Sequence, residues 1–322
     1  MKLAHFCVLA AAGLAACVST ALAQVYPDRP LRLIVPYAPG GGTDLTSRLI
    51  GRQLTTSINQ QVIVDNRAGG ASNVGCEIAA RSAPDGYTLL MAGISFSINV
   101  SIFPKLSYDP LKDFDPVSLV ATVPLIVVVH PSVPATSIRE LIALAKAKPG
   151  TLNYGSGGTG TANHIAGELF KFMTATDIVH VPYKGGGPAL ADIVGGQIQL
   201  LFNTMTSTVG FMNTGKLRAL AVTGKERSPA VPNLPTVIEA GIPGYDVGAW
   251  FGIVVPRGTP RARVNVLNSE IVRITRLPEA REQFAAQGAE AIGSTPEAFG
   301  KHLRVEIDKW AKVAKAAKLR AD

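Results

Sequence analysis

Hydrophobic and polar residues follow two alternating patterns along the chain, and together they predict strands separated by helices. From Leu31 onward, short apolar runs alternate with longer segments whose apolar residues recur on one helical face. The first series predicts strands in LRLIVPY, QVIVDN and YTLLMAG, with helices in DLTSRLIGRQLTTSI and GGASNVGCEIAARSA. Such a βαβαβ order is typical of a parallel sheet with helices on both faces.

A second series of strands and helices follows the first. Strands are predicted in PLIVVVH, LNYG, DIVHVPY, IQLLFN and LRALAVTG. Helices are predicted in SIRELIALAKAKPG, which Thr136 or Ser137 begins, and in TANHIAGELFKFM and GPALADIVGG. Beyond these, the pattern predicts three helices without matching strands, in RVNVLNSEIVRIT, PEAREQFAAQGA and TPEAFGKHLRVEIDKWAKVAKAAK.

The two series repeat each other at an offset of 116 residues. This offset separates Gly69-Gly70 from Gly185-Gly186, and it relates Gly40-Gly41 to Ser156-Gly157. We therefore predict an α/β protein with two similar lobes. Each lobe offers a glycine loop at the carboxyl end of a strand, which is where open α/β sheets bind ligands.

The C-terminal helices indicate that the chain returns to the first lobe after completing the second. Two crossovers, near Val123 and near Gly248, then form a hinge between the lobes. The predicted first lobe is 24–122 with 249–322, and the predicted second lobe is 123–248.

The first glycine loop, in PYAPGGGTD, has features of an anion site. Its residues Gly40 to Gly42 can adopt positive φ and expose backbone N–H groups to a ligand. The helix that begins near Thr43 or Asp44 adds unpaired N–H groups and a dipole that favours an anion. We expect Asp44 to cap the helix and shape the loop first, and to contact a ligand second.

The second glycine loop, in YGSGGTGTANH, adds hydroxyl groups to the same arrangement. The hydroxyls belong to Ser156, Thr159 and Thr161, and the glycines are Gly157, Gly158 and Gly160. Neutral donors at two helix N-termini suit a carboxylate, and two loops facing across a cleft can hold the two ends of a dianion. One glycine turn alone is as often structural as functional, but two at matching places favour binding.

Catalytic, cofactor and metal motifs lack the required spacing. GSGGTG matches G-x-G-x-x-G, but the next strand ends at Tyr183-Lys184 rather than at the acid of a dinucleotide site. No P-loop and no G-x-S-x-G sequence occurs. The histidines are isolated from one another in sequence, so we predict no metal, no cofactor and no catalytic residue. His164, one turn into the second helix, is expected to brace its loop more readily than to touch a ligand.

Composition and charge indicate which kinds of molecule the protein can bind. The chain is 47% hydrophobic and 17% charged, which is the composition of a folded globular protein. Its net charge of +8 is scattered along the sequence, which indicates mild attraction for anions and no nucleic-acid partner. We expect a monomer.

The first 23 residues resemble an export signal. Lys2 precedes an apolar core, and Ala21-Leu22-Ala23 forms an A-x-A cleavage site, so we predict a periplasmic protein. LAAC, which ends at Cys17, is an alternative lipoprotein box that would place a lipid anchor on Cys17. After A-x-A cleavage only Cys76 remains, which rules out an internal disulfide.

Several ordered segments resemble the Bug-type, or TctC-type, extracytoplasmic solute receptors of tripartite tricarboxylate transporters. They are YPDRPLRLIVPYAPGGGTDLTSRLI, VDNRAGGASNVGCEIAARSAPDGYTLL, NYGSGGTGTANHIAGELF, IVHVPYKGGGPALADIVGGQIQLLF, GKLRALAVTGKERSPAVPNLPTVIEAG and VVPRGTP. The resemblance runs from about Tyr26 to the C-terminus. It implies a two-lobed, type II periplasmic binding protein without catalysis, which delivers a small organic carboxylate to membrane permease subunits.

The resemblance also implies that the two glycine loops grip a ligand carboxylate, partly through ordered water. Ser95 falls where a third loop of the first lobe approaches the ligand. Independently of the resemblance, Tyr183 follows another strand end, and Asn203-Thr204, after IQLLF, is placed to line the cleft or the hinge. The family usually has an acid where this chain has Gln199, so the sequence departs from the family pattern at this position. The predicted ligand-binding residues are Tyr37, Ala38, Gly41, Gly42, Thr43, Asp44, Ser95, Ser156, Gly157, Gly158, Thr159, Thr161, His164, Tyr183 and Asn203.

Two alternative functions remain open at this point. One is an exported α/β hydrolase-like enzyme that uses the region of Ser156 and His164. The other is a ligand receptor for a sensor kinase. The sequence does not identify which carboxylate is bound. Trp250-Phe251 are expected to pack in the core or between the lobes.

Overall fold

The computed structural model of the protein describes residues 26–316 and 319–320. The predicted export signal, 1–23, and the alternative lipidation site at Cys17 lie outside the described residues. In the described part of the chain, no helix combines the length and the apolar character needed to cross a membrane.

Strands and helices alternate along the described chain. The first half contains β1 (Leu31–Val35), α1 (Gly42–Ile58), β2 (Val62–Asn66), α2 (Asn73–Ala80), β3 (Thr88–Ala92), α3 (Ile94–Ile102), β4 (Phe114–Val129) and α4 (Ile138–Ala147). The middle contains β5 (Asn153–Ser156), α5 (Ala162–Thr174), β6 (Val179–Pro182), α6 (Gly186–Val194), β7 (Leu200–Thr204), α7 (Met205–Asn213) and β8 (Arg218–Val222). The last part contains β9 (Gly248–Pro256), α8 (Arg261–Arg276), α9 (Pro278–Ala286), β10 (Glu290–Ala291) and α10 (Pro296–Ala316).

Each lobe is built on parallel strands, as the βαβ order predicts. In the first lobe, β1 pairs in parallel with β2 and β3. In the second lobe, β5 pairs in parallel with β6 and β7. Parallel pairing brings the carboxyl ends of neighbouring strands to one edge, so the helices that follow them begin side by side.

Two long antiparallel strands join the lobes. β4 pairs with β9 as far as Pro124 opposite Gly248, and from Leu125 it pairs with β7 instead. β8 and β10 also pair with β4, outside the main strand order. All ten strands of the described chain therefore belong to one hydrogen-bonded sheet. The change of partner falls beside the predicted crossovers at Val123 and Gly248, while the exact lobe boundaries stay a prediction.

Several elements differ from the sequence expectation. β4 begins at Phe114, ten residues before the predicted PLIVVVH strand, and β9, α3 and α7 were not predicted. The expectation that no strand accompanies the C-terminal helices was wrong, because β9 precedes them and Glu290 of β10 pairs with Thr122. Both faces of β9 are buried, so its sequence has no polar alternation to reveal it.

The C-terminal helix α10 packs on β9 and completes the core of the first lobe. Phe299 is fully buried and lies edge-on to Trp250, with ring centroids 5.8 Å apart. A side chain at Gly252 would overlap the Phe299 ring, so this strand glycine creates the space that the ring fills. The Phe299 ring is therefore one of the core contacts that hold the returning chain on the first lobe.

Replacing Phe299 with Ala should lower the free energy of unfolding by about 3–5 kcal/mol, because it empties a closed core position. The matched control on the same helix is Val305→Ala, since Val305 is 55% exposed and should change stability by less than about 0.5 kcal/mol. Urea denaturation measures both. Equal losses in the two variants would contradict this packing.

Candidate ligand-binding site

A small cavity of about 50 Å³ lies between the two lobes. Its wall combines loop glycines, neutral polar side chains and one apolar patch. The lining residues are Tyr37, Gly41, Gly42, Thr43, Gly93, Ile94, Gly157, Thr161, Ala162, Asn163, Gly186, Asn203, Thr204, Ala249, Trp250 and Phe251. None of these sixteen residues carries a formal charge.

Five helices begin at this cavity. α1 and α3 belong to the first lobe, and α5, α6 and α7 belong to the second. The first N–H that bonds within α1 is that of Leu45, to Gly41, and the first in α5 is that of Ile165, to Thr161. The earlier N–H groups have no acceptor in their own helix, and the helix dipoles add partial positive charge there. The cavity is therefore electropositive without a basic side chain.

The first glycine loop is held by a carboxylate that points back into it. Gly40 adopts φ 87°, and its N–H donates to Asp44 Oδ2 at 3.0 Å. Arg48 Nε also donates to Asp44, and Asn66 Nδ2 donates to its other oxygen. Burial raises the pKa of Asp44, but the bonds from Arg48, Gly40 and Asn66 outweigh it and hold the pKa below its usual value.

Asp44 does not cap the helix, as was expected, although it does shape the loop. The N-cap residue is Gly41, and no side chain caps this helix end. Asp44 shapes the loop from the first turn and does not belong to the cavity wall. Of the three glycines, only Gly40 needs positive φ, whereas Gly42 is required because a side chain there would overlap Thr204.

The second glycine loop repeats this arrangement with a histidine. Gly160 adopts φ 86°, Thr161 is the N-cap, and the Gly160 N–H donates to His164 Nδ1 at 3.2 Å. His164 thus occupies the position of Asp44, and it braces the loop as expected. Because Nδ1 accepts, the ring must be neutral, and burial followed by the nearby His180 lowers the pKa of His164 to about 4.

The structural repeat has two registers. Gly69 and Gly185, 116 positions apart, are both N-cap residues with φ 139° and 150°. In the clamp loops, however, Gly40 corresponds to Gly160, which is an offset of 120 positions. The predicted offset holds at one pair of loops and is four residues short at the other.

Seven predicted ligand-binding residues line the cavity. They are Tyr37, Gly41, Gly42, Thr43, Gly157, Thr161 and Asn203. Tyr37 is partly buried, its desolvated hydroxyl has a pKa raised to about 12, and its O–H donates to Ser95 at 2.7 Å. Asn203 is fixed on both sides, since it accepts from Asn163 and donates to Ser207.

The other eight predicted residues lie outside the wall. They are Ala38, Asp44, Ser95, Ser156, Gly158, Thr159, His164 and Tyr183. Ser156 is fully buried, and its hydroxyl pairs with His180 Nε2 at 2.6 Å and accepts from the Gly158 N–H. The Tyr183 hydroxyl donates to Asp192, which ties it to α6.

Nine residues of the wall were not among the predicted ligand-binding residues, although Thr204 was expected beside Asn203 at the cleft or the hinge. They are Gly93, Ile94, Ala162, Asn163, Gly186, Thr204, Ala249, Trp250 and Phe251. Gly93 follows the predicted strand YTLLMAG, so the rule that strand ends form sites could have found it. Trp250 and Phe251 were expected only in packing roles, and they prove to be buried wall residues on β9.

A larger cavity of about 850 Å³ is lined by residues of β4, β9, α9 and α10. Trp250 and Ala249 border both cavities, and the Trp250 indole donates to Glu306 at 3.0 Å. Unlike the first cavity, this one carries charges of both signs, from Lys225, Arg227, Arg281, Lys309, Glu226, Asp246, Glu290 and Glu306. Across the described ranges, no group of three or more His, Cys, Asp or Glu side chains is arranged to hold a metal.

The bracing role of His164 predicts a loss of stability in acid. An unfolded histidine takes up a proton near pH 6.5, but the folded one does so only near pH 4. The contribution of neutral His164 to the free energy of unfolding is therefore fully present above pH 6.5. It falls by about 3 kcal/mol as the pH drops toward 4. Urea denaturation from pH 7.5 to 4 measures this loss.

The control for the acid effect is His164→Asn, whose amide oxygen can still accept from the Gly160 N–H but does not titrate. We expect this variant to lose about 3 kcal/mol less than the wild type over the same pH interval. Parallel stability curves for the two proteins would show that His164 is not the group responsible.

Comparison with known proteins identifies the family. The model of the tripartite tricarboxylate transporter family receptor, TctC, matches residues 46–319. The protein BugT of Bordetella pertussis is 38% identical over 309 residues, which cover 95% of this chain and 94% of BugT.

Solved structures agree over almost the whole fold. R. palustris Rpa4515 with adipate is 36% identical, with a TM-score of 0.90 over 92% of this chain and 100% of that one. MatC of Rhodopseudomonas palustris with bound malate is 32% identical, with a TM-score of 0.86 over 89% and 99% of the two chains. The chain therefore belongs to the tripartite tricarboxylate transporter receptor family, as a two-lobed periplasmic binding protein and not an enzyme.

Proposed function

We propose that the protein captures a small organic carboxylate between its lobes in the periplasm and delivers it to the membrane permease of a tripartite tricarboxylate-type transporter. The observation that carries this proposal is the convergence of five helix N-termini on one uncharged cavity. The ligand would contact both lobes, so its binding would favour the closed arrangement over an open one.

The donor set suits a carboxylate in particular. A carboxylate is acceptor-only and accepts several hydrogen bonds, and the first turns of α1 and α5 supply N–H donors from opposite lobes. The wall hydroxyl of Thr43 and the amides of Asn163 and Asn203 are neutral. A wall without a lysine or arginine stabilises the anion through fixed dipoles, which need little rearrangement when the ligand arrives.

The apolar patch suits the carbon skeleton of such a ligand. Ile94 and Phe251 contribute to it, and both side chains are nearly completely buried. Trp250, the neighbour of Phe251 on β9, directs its indole to the other face of the strand, where it packs on Phe299 and donates to Glu306. One side of the cavity therefore offers donors for a charged group, and the other offers apolar contact.

The relatives support the same ligand class. Adipate and malate, the molecules bound in two similar structures, are both dicarboxylates. We propose for the present chain that the ligand carboxylate lies against Gly41, Gly42 and Thr43 on one side and against Thr161 to Asn163 on the other.

A thermal-shift screen tests the proposal. We expect at least one organic carboxylate to raise the melting temperature by several degrees, since a ligand at 100 times its Kd stabilises by about 2.7 kcal/mol. The amide analogue of that carboxylate has the same skeleton without the charge and should give no shift. The screen includes adipate and malate, each with its diamide.

Two outcomes would contradict the proposal. One is stabilisation by neutral solutes with none by any carboxylate. The other is equal stabilisation by an acid and its amide, which would show that the helix N-termini do not select an anion.

A further inference from the structure

The two lobes touch each other directly beside the cavity. The Ala38 N–H, in the first glycine loop, donates to the backbone carbonyl of Lys184 in the second lobe at 2.9 Å. Lys184 lies in the loop between β6 and α6, so the bond joins two segments that only the closing of the lobes brings together. No ligand atom is needed for this contact.

The segments around this bond approach each other as bare backbone. A side chain at Gly41 would lie 3.4 Å from the amide nitrogens of Gly186 and Gly187. A side chain at Gly187 would overlap the carbonyl oxygen of Pro39. That neighbour is backbone, which cannot rotate away as a flexible side chain would.

A second direct contact lies between α3 and the other glycine loop. The Ser95 hydroxyl donates to the Gly160 carbonyl at 3.1 Å. A side chain at Gly160 would lie 2.5 Å from Asn99 Oδ1, so here too glycine permits the approach. The lobes thus meet through protein groups at two separate places along the mouth of the cavity.

We propose that Gly187 is a positioning residue for the binding site. Its missing side chain lets the lobes close through the Ala38–Lys184 hydrogen bond, here called the backbone latch, and the latch forms without ligand. Gly187 is not part of the cavity wall, so it acts on closure and not on the ligand itself. This inference rests on the proposed function. The latch sets the apparent affinity for the carboxylate, because that affinity scales with the fraction of molecules that are closed.

Gly187→Ala separates closure from folding. Gly187 is the second residue of α6, and its φ is not positive, so alanine fits its helical backbone when the lobes are apart. Pro188 follows it and disfavours a helical backbone for a preceding residue with a Cβ, so the overall stability of the variant is measured alongside. The clash with Pro39 therefore acts on the closed state alone. The matched control is Gly210→Ala in α7, where an added side chain meets nothing within 4 Å.

Amide hydrogen exchange of Ala38 in ligand-free protein tests the latch. The proteins are unfolded and refolded beforehand, which removes solutes that co-purify. We expect the Ala38 amide to be protected in the wild type and in Gly210→Ala. In Gly187→Ala it should exchange at least tenfold faster, while the core-strand amides of Leu33 and Leu201 exchange as in the wild type.

Two results would overturn the inference. One is a wild-type Ala38 amide that exchanges as fast as an unprotected loop amide, and this measurement needs no variant. The other is an Ala38 amide in folded Gly187→Ala that stays as slow as in the wild type. If the variant does not fold, the wild-type measurement decides. The readout involves no ligand, so a failed carboxylate screen leaves it intact, and its failure leaves the screen intact.

Discussion

The unpaired backbone N–H groups at the start of a helix constrain everything else in this structure. An α-helix leaves its first N–H groups without partners, and buried ones must find an acceptor elsewhere. Parallel pairing of β1 with its neighbours, and of β5 with its neighbours, collects five such helix starts around one cavity. The topology thus places many unpaired N–H donors close together, and an anionic ligand can accept hydrogen bonds from them.

The glycine loops deliver these donors, and each is kept in shape by one side chain in the first helical turn. Asp44 remains ionised because Arg48, the Gly40 N–H and the Asn66 amide stabilise its charge. His164 performs the same task as a neutral acceptor. The two lobes therefore use different chemistry for one mechanical role, and acid should affect the second lobe before the first.

Local patterns predicted much of the fold because they report on local structure. The parallel strands, their helices and both glycine loops follow from periodicity and turn residues. β9 and the first half of β4 do not, because their partners are far away in sequence and Trp250 and its neighbours on β9 are buried on both faces. The apolar side of the cavity comes from Phe251 on β9 and Ile94 on α3, two elements that were not predicted, so sequence reasoning found many of the donors and missed the patch.

The glycines show a similar division. Positive φ at Gly40 could be expected from the loop, but the need for Gly42 comes from Thr204 in the other lobe. Likewise, Asp44 was expected as a cap because acids are common at helix starts, whereas its partners Arg48 and Asn66 show a brace. Contacts across the lobes are properties of the closed fold and leave no local signature.

The most direct test of the central claim is a crystal structure of the protein with a carboxylate that stabilises it. The account predicts carboxylate oxygens within hydrogen-bond distance of the first-turn N–H groups of α1 and α5, with no lysine or arginine in contact. A carboxylate bound instead to basic side chains, such as Arg281 and Lys309 of the larger cavity, would contradict it.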